Sequence, residues 1–192
     1  MRVLSFPEAE TPPALRRQAL ALQDEEWPGD SGAGSGHDPA LRPVTMLLVD
    51  DGDGDVVVVA SLDVLSKTVQ HAGRSYRASG LSAVVTRRDL RGLGHGRALV
   101  MAATEAIATS DADIGLFTCD RPLQAFYASA GWDVLPGAVV VGGTPAAPFP
   151  SDAPGFDKVT MARFFSPAAR RHRDDFDNAR IELYPGDIDR LW

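Results

Sequence analysis

The chain has 192 residues, a net charge of −7 and a hydrophobic content of 44%, enough for one domain, residues 1–192, with a sizeable core. An acidic balance argues against nucleic acid as the main partner and suits a small cationic substrate, and no run of ~20 apolar residues is present to span a membrane. A single cysteine rules out an internal disulfide and, with no basic and apolar leader at the start, predicts a cytoplasmic protein.

Residues 1–6 read as a first edge strand. Thr11-Pro-Pro opens a helix that runs to about Glu26, with Leu15, Ala19 and Leu22 at helical spacing. The stretch 28–43 is rich in Gly, Ser, Pro and Asp and reads as a loop. Val44–Val49 and Val56–Leu65 are predicted strands, joined by the turn Asp50-Asp-Gly-Asp-Gly-Asp55. Those aspartates lack the downstream Glu of an EF-hand, and no other cluster of metal ligands is visible, so no metal is expected. His71-Ala-Gly-Arg is a further turn before a strand over 76–86. A helix from Gly94 or His95 to about Thr109 comes next, then a short buried strand, Ile114–Thr118. Pro122–Ala130 is a helix that Gly131 ends. Apolar segments lie near Val134 and over Val139–Val141. Residues 142–156 read as a loop, Val159–Phe164 as a strand, 166–173 as a helical turn and Ile181–Tyr184 as a last strand. More strands than helices in the middle of the chain predict a mixed sheet flanked by helices, an α/β (α+β) protein.

The stretch from Ser82 to Val100 organises the rest. It passes from an apolar β-branched strand, through Arg91-Gly-Leu-Gly-His-Gly-Arg97, into a helix. The first amides of a helix lack internal partners and carry the positive end of its dipole. Glycines at 92, 94 and 96 leave those amides open to a phosphate, and Arg91 and Arg97 add positive charge. A pyrophosphate is therefore the expected ligand, held by Arg91, Gly92, Leu93, Gly94, His95, Gly96 and Arg97. A dinucleotide fingerprint needs a third glycine where Arg97 stands, and a P-loop needs Gly-Lys-Ser/Thr, which is absent.

What is present, Arg91-x-x-Gly94-x-Gly96, resembles the coenzyme A signature of the GNAT superfamily of N-acetyltransferases. About 30 residues further on, Tyr127-Ala-Ser-Ala-Gly131-Trp132 resembles the second signature of that superfamily. The resemblance implies a GNAT fold, with a mixed, mostly antiparallel sheet splayed between its fourth and fifth strands. It also implies acetyl-CoA as cofactor. Backbone groups of Val84, Val85 and Thr86 would then hold the pantetheine arm and thioester. Acyl transfer to an amine needs a neutral nucleophile, a stabilised carbonyl oxygen and a proton or hydrogen bond for the leaving thiolate. Tyr127 is the candidate for the last, with core packing of Phe126 or Tyr127 as the competing reading.

Within the superfamily the chain is most similar to the aminoglycoside 2′-N-acetyltransferase branch. The matching stretches are Arg87-Arg-Asp-Leu-Arg-Gly92, Phe126-Tyr-Ala-Ser-Ala-Gly-Trp132, Gly29-Asp30, and Gly186-Asp187 ahead of Trp192. By that resemblance Asp30, Asp38, Asp157, Asp187 and Trp192 are substrate-binding candidates, with Asp189 beside them. Ser82 stands where the branch carries a Glu, so one acidic contact is lost. The expected reaction is direct acetyl transfer to a small cationic amine. Transfer to a protein or peptide amine, and a non-catalytic acyl-CoA sensor, are the alternatives. The sequence leaves the oligomeric state open between monomer and homodimer, and the general base unassigned.

Overall fold

The structure, a computed structural model, describes residues 1–28, 36–52, 54–156 and 158–192. Its strands are β1 (Arg2–Pro7), β2 (Val44–Asp50), β3 (Val57–His71), β4 (Arg74–Thr86), β5 (Ile114–Asp120), β6 (Asp133–Val134), β7 (Val139–Thr144), β8 (Ala147–Pro150), β9 (Lys158–Phe164) and β10 (Arg180–Glu182). Its helices are α1 (Pro13–Glu26), α2 (His95–Thr109), α3 (Gln124–Ser129) and α4 (Pro167–Arg171). Seven strands form one sheet in the order β1-β2-β3-β4-β5-β9-β6, and β10-β7-β8 form a second. Among the described residues only β4–β5 and β10–β7 run parallel; the other pairings are antiparallel, as the mixed-sheet reading requires.

Strand alternation explains how both faces of the large sheet are covered. Leu47 and Val49 of β2 point to one side, where they pack with Leu15, Ala19 and Leu22 of α1. Met46 and Leu48 point to the other and join the cluster that holds Leu99, Val100, Ala103 and Ile107 of α2. Side chains two apart share a face of a strand, and those three or four apart share a face of a helix. Each helix thus lays one apolar stripe on one face of the same strands. Among the described residues no helix is long and apolar enough to cross a membrane.

Two elements differ from the sequence reading. Strand β3 runs on to His71, because Ala72 and Gly73, both at positive φ, close a tight hairpin that continues the pairing to His71↔Arg74. Residues 142–156, read as a loop, contain the end of β7 and all of β8. Pro148 and Pro150 hid that strand. It lies at the edge of its sheet, where a missing N–H is tolerated.

The small sheet carries the tail. Gly143 N–H donates to Arg190 O at 2.9 Å and Gly186 N–H to Gly143 O at 3.0 Å. A Cβ on Gly142 would stand 1.6 Å from Arg190 O, so the close approach of tail and β7 depends on glycine there.

Candidate active site

Strands β4 and β5 pair only at Ala78↔Ile114 and Ser79↔Gly115, and then separate. Both are stabilised from their outer sides, β4 by β3 and β5 by β9. The wedge between them can therefore stay open without unzipping the sheet. At its apex sits Trp192. Its indole N–H donates to Leu116 O at 2.8 Å, and its carbonyl oxygen accepts from Thr118 N–H at 3.4 Å. The tail thus satisfies part of the β5 edge, while the facing edge of β4, from Leu81 to Thr86, has no strand partner among the described residues.

A kink accompanies the opening. Between Ser61↔Val85 and Asp63↔Ser82 the β3–β4 register slips, and Ala83 takes a φ of 49°. This is a bulge on β4, and it turns the following residues of the strand. A cleft of about 460 Å³ opens here, lined by Leu81, Ser82, Ala83 and Val84 from β4, and by Thr118, Cys119 and Asp120 from β5. Helix α1 contributes Ala19, Leu20 and Gln23, and the tail Ile188, Asp189, Leu191 and Trp192.

The glycine loop follows directly beyond β4. Gly92 and Gly94 have φ of 78° and 85°, which non-glycine residues rarely adopt. A Cβ at either would project into open space, while one at Gly96 would lie 2.6 Å from Thr86 Oγ1. The amides of residues 92–97 have no hydrogen-bond partner among the described residues, and α2 starts at His95 behind them. The loop therefore has the free amides, the open approach and the helix dipole that a pyrophosphate needs. Its arginines are already engaged. Arg91 pairs with Glu26 at 2.6 Å and donates to Thr86 O at 3.1 Å, and Arg97 donates to Ser129 O at 2.9 Å. Glu26 is thus bound to the loop, and the end of α1 is tied to the end of β4.

Tyr127 lines the cleft beside Cys119, Asp120 and Leu123. Its ring packs edge-on to Phe117 and Phe126, with centroids 4.8 and 4.9 Å away. Tyr127 is thus packed in the core and also borders the cleft. Burial holds the phenol above its ordinary pKa, with the charges of Cys119 and Asp120 adding to the effect. It therefore keeps its proton at any physiological pH. Trp132 is core, and its indole N–H donates to Thr104 Oγ1 at 2.9 Å. Cys119 is 5% exposed, and burial pushes its thiol up to about 11, which leaves it a poor nucleophile near neutrality.

The acidic candidates separate. Asp30 and Asp157 lie outside the described residues. Asp38 caps a short 3-10 turn, where its side chain accepts from Ala40 N–H at 2.9 Å, and it does not line the cleft. Asp187 is exposed and also outside the lining. Trp192 and Asp189 line it.

Two residues absent from the sequence candidates stand out, Asp63 and His37, and they meet the candidate Asp189. Asp63 sits opposite Ser82, so a carboxylate stands on the strand next to the position where the resemblance expects a Glu. His37 Nε2 is 3.2 Å from Asp63 Oδ2, and its Nδ1 bonds to Asp189. Burial alone would lower the imidazole pKa; the hydrogen bonds and charges of Asp189 and Asp63 outweigh it and raise the value to about 10. His37 is thus an imidazolium between two carboxylates. One signal was readable: an Asp within an apolar strand has to find a partner.

No protein-family model matches the chain, and no curated protein does. Solved structures do. ElaA of Escherichia coli superposes with a TM-score of 0.57 at 16% identity, over 84% of this chain and 98% of that one. An acyl-CoA N-acyltransferase from Pseudomonas aeruginosa gives 0.54 at 19%, over 85% and 99%. An aminoglycoside 6′-N-acetyltransferase complexed with coenzyme A gives 0.55 at 17%, over 87% and 98%. The fold is therefore that of the GNAT N-acetyltransferases, with its splayed sheet. The aminoglycoside enzyme among these acts at the 6′ position, not the 2′ position of the branch singled out by sequence.

Proposed function

We propose that the protein is an acetyl-CoA-dependent N-acetyltransferase that acts on a small cationic amine by direct transfer. The observation that carries this reading is the continuity of three features. The edge of β4 that has no strand partner among the described residues runs from the cleft into the loop of free amides at 92–97, and Tyr127 lines the same cleft. Two of the solved structures with this fold support it, one an acyl-CoA N-acyltransferase and the other an aminoglycoside 6′-N-acetyltransferase complexed with coenzyme A.

Acetyl-CoA would supply the acetyl group as a thioester. Residues 91–97 hold the pyrophosphate through their amides, and Val84, Val85 and Thr86 present backbone groups to the pantetheine arm. Tyr127, kept protonated by burial, would donate its proton to the sulfur as the carbon–sulfur bond breaks and would regain one from water. The attacking amine must be neutral when its nitrogen bonds to the acetyl carbon, and the proton it sheds leaves to water.

The acceptor is a small amine, with an amino sugar the leading case. The tail and residues 36–38 meet across the acceptor end of the cleft, where Asp38 N–H donates to Asp189 Oδ2 at 3.1 Å. Such a closure suits a small molecule better than a long peptide. Trp192 and Asp189 would contact it, with Asp30, Asp38, Asp157 and Asp187 as further candidates. Thiol release from acetyl-CoA, measured across a panel of aminoglycosides, polyamines and peptides, tests the proposal. No coenzyme A binding and no release with any amine would overturn it.

A further inference from the structure

Asp63 and Asp189 are buried carboxylates, 5% and 9% exposed, brought together from β3 and the tail. Each has one oxygen held by a neutral donor. Thr45 Oγ1–H donates to Asp63 Oδ1 at 2.6 Å, and Asp38 N–H donates to Asp189 Oδ2 at 3.1 Å. The other oxygen of each turns to His37, and Gln23 Nε2 also reaches Asp63 Oδ2 at 3.4 Å. Two buried carboxylates turned to one point favour a cation between them. The protein supplies that cation from a segment outside any helix or strand, residues 36–38. The other ionised side chains of the lining pair among themselves, Glu8 with Arg16 at 3.9 Å and Asp120 with Lys158 at 2.8 Å.

A second observation lies at the same end of the cleft. Thr11 lines it, is 6% exposed, and its Oγ1 has no hydrogen-bond partner among the described residues. Buried hydroxyls are nearly always paired, so an orphan here marks a place for a polar group of a bound molecule.

A primary ammonium carries the same charge as the imidazolium and has three N–H donors where the ring has two. Exchanging one for the other leaves the net charge of the cluster unchanged. An amine seated between two buried carboxylates also stays protonated, since both favour the charged form. It cannot then be the nucleophile, which must be neutral. We propose that Asp63 and Asp189 form an anchoring subsite for a non-reacting ammonium group of the acceptor, that His37 fills this subsite in the free protein, and that the acceptor therefore carries at least two amino groups. This rests on the acetyltransferase reading of the cleft.

The test uses the full chain, saturated with coenzyme A and labelled with ¹⁵N-histidine. Linear diamines of increasing length are titrated against monoamines of the same length, by calorimetry and by NMR of the His37 ring. The best diamine binds at least about tenfold more tightly than its monoamine, a difference of about 1.4 kcal/mol, and moves the His37 ring resonances as the imidazole is released. Asp63→Asn and Asp189→Asn each abolish that preference without changing coenzyme A affinity. His37→Gln, which removes the competing cation, tightens diamine binding. Equal binding of diamines and monoamines with unmoved His37 resonances overturns the subsite while leaving the acetyltransferase reading intact. Failure of the protein to bind coenzyme A at all overturns that reading, and this inference with it.

Discussion

Asp63 and Ser82 stand opposite each other across the β3–β4 pairing, one residue before the bulge at Ala83. The carboxylate of this site is therefore carried by β3, next to the strand on which the sequence resemblance expects it. Asp63 is held by Thr45 and Gln23 as well as His37, so its position is fixed from three elements. An acid placed this way is an anchor: every oxygen has a protein donor, and the negative charge faces the cleft rather than the solvent.

The proposed reaction needs a proton donor to the sulfur, and Tyr127 lines the cleft. Tyr127→Phe removes one oxygen and preserves the edge-on packing with Phe117 and Phe126. The expected outcome is a fall in kcat of about 100-fold, the lower range for loss of a general acid. Coenzyme A affinity and Tm should stay close to the wild type. Steady-state kinetics beside thermal melting separate the two readings. Unchanged turnover would assign the proton to another donor.

The sequence makes the scaffold readable and the acceptor end much less so. The strands and the glycine loop follow from local rules: alternation in β2, helical spacing of Leu15, Ala19 and Leu22, and glycines where φ is positive. Those rules act within a few residues. His37 and Asp189 meet although 152 positions separate them, and Asp38 was legible only as an acid, not as a cap for Ala40. Strand β8 was hidden for a different reason, because its prolines carry the marks of a loop and are tolerated only by its edge position.

Gly80 keeps the apex of the wedge narrow. A Cβ there would stand 2.3 Å from Leu116 O and 2.5 Å from the Trp192 indole nitrogen. Gly80→Ala must push the two apart and cost the bond between them, now 2.8 Å long. Overpacking of this kind costs about 1–3 kcal/mol. Chemical denaturation should show that loss, and Trp192 fluorescence should report a more exposed indole.

Glu26 competes with the proposed pyrophosphate for Arg91. The pair is 2.6 Å apart and both side chains are at least a third exposed, so its contribution to stability is small, about 0–1 kcal/mol. Glu26→Gln therefore leaves Tm nearly unchanged. It does remove a negative charge from the edge of the anion site, and coenzyme A should bind a few-fold more tightly in low salt. The gain shrinks at about 1 M salt, where the screening length is about 3 Å. Weaker binding in the variant would mean that Glu26 is needed to aim Arg91, and that the guanidinium itself reaches the ligand.

His37 makes stability depend on pH in a defined direction. Its pKa rises from 6.5 in the unfolded chain to about 10 in the folded protein, so the folded state binds the proton more tightly. Such a group adds stability that is complete below pH 6.5 and is lost as pH rises towards 10. Lost with it is the positive charge that faces both Asp63 and Asp189. The expected measurement is the difference in unfolding free energy between the wild type and His37→Gln. It should be largest in mildly acidic solution, decline steadily through the alkaline range and level off once the imidazole is neutral. A difference that stays flat across that range would place the ring outside the carboxylate pair in solution, and the tail would then be held by the Gly143–Arg190 contact without it.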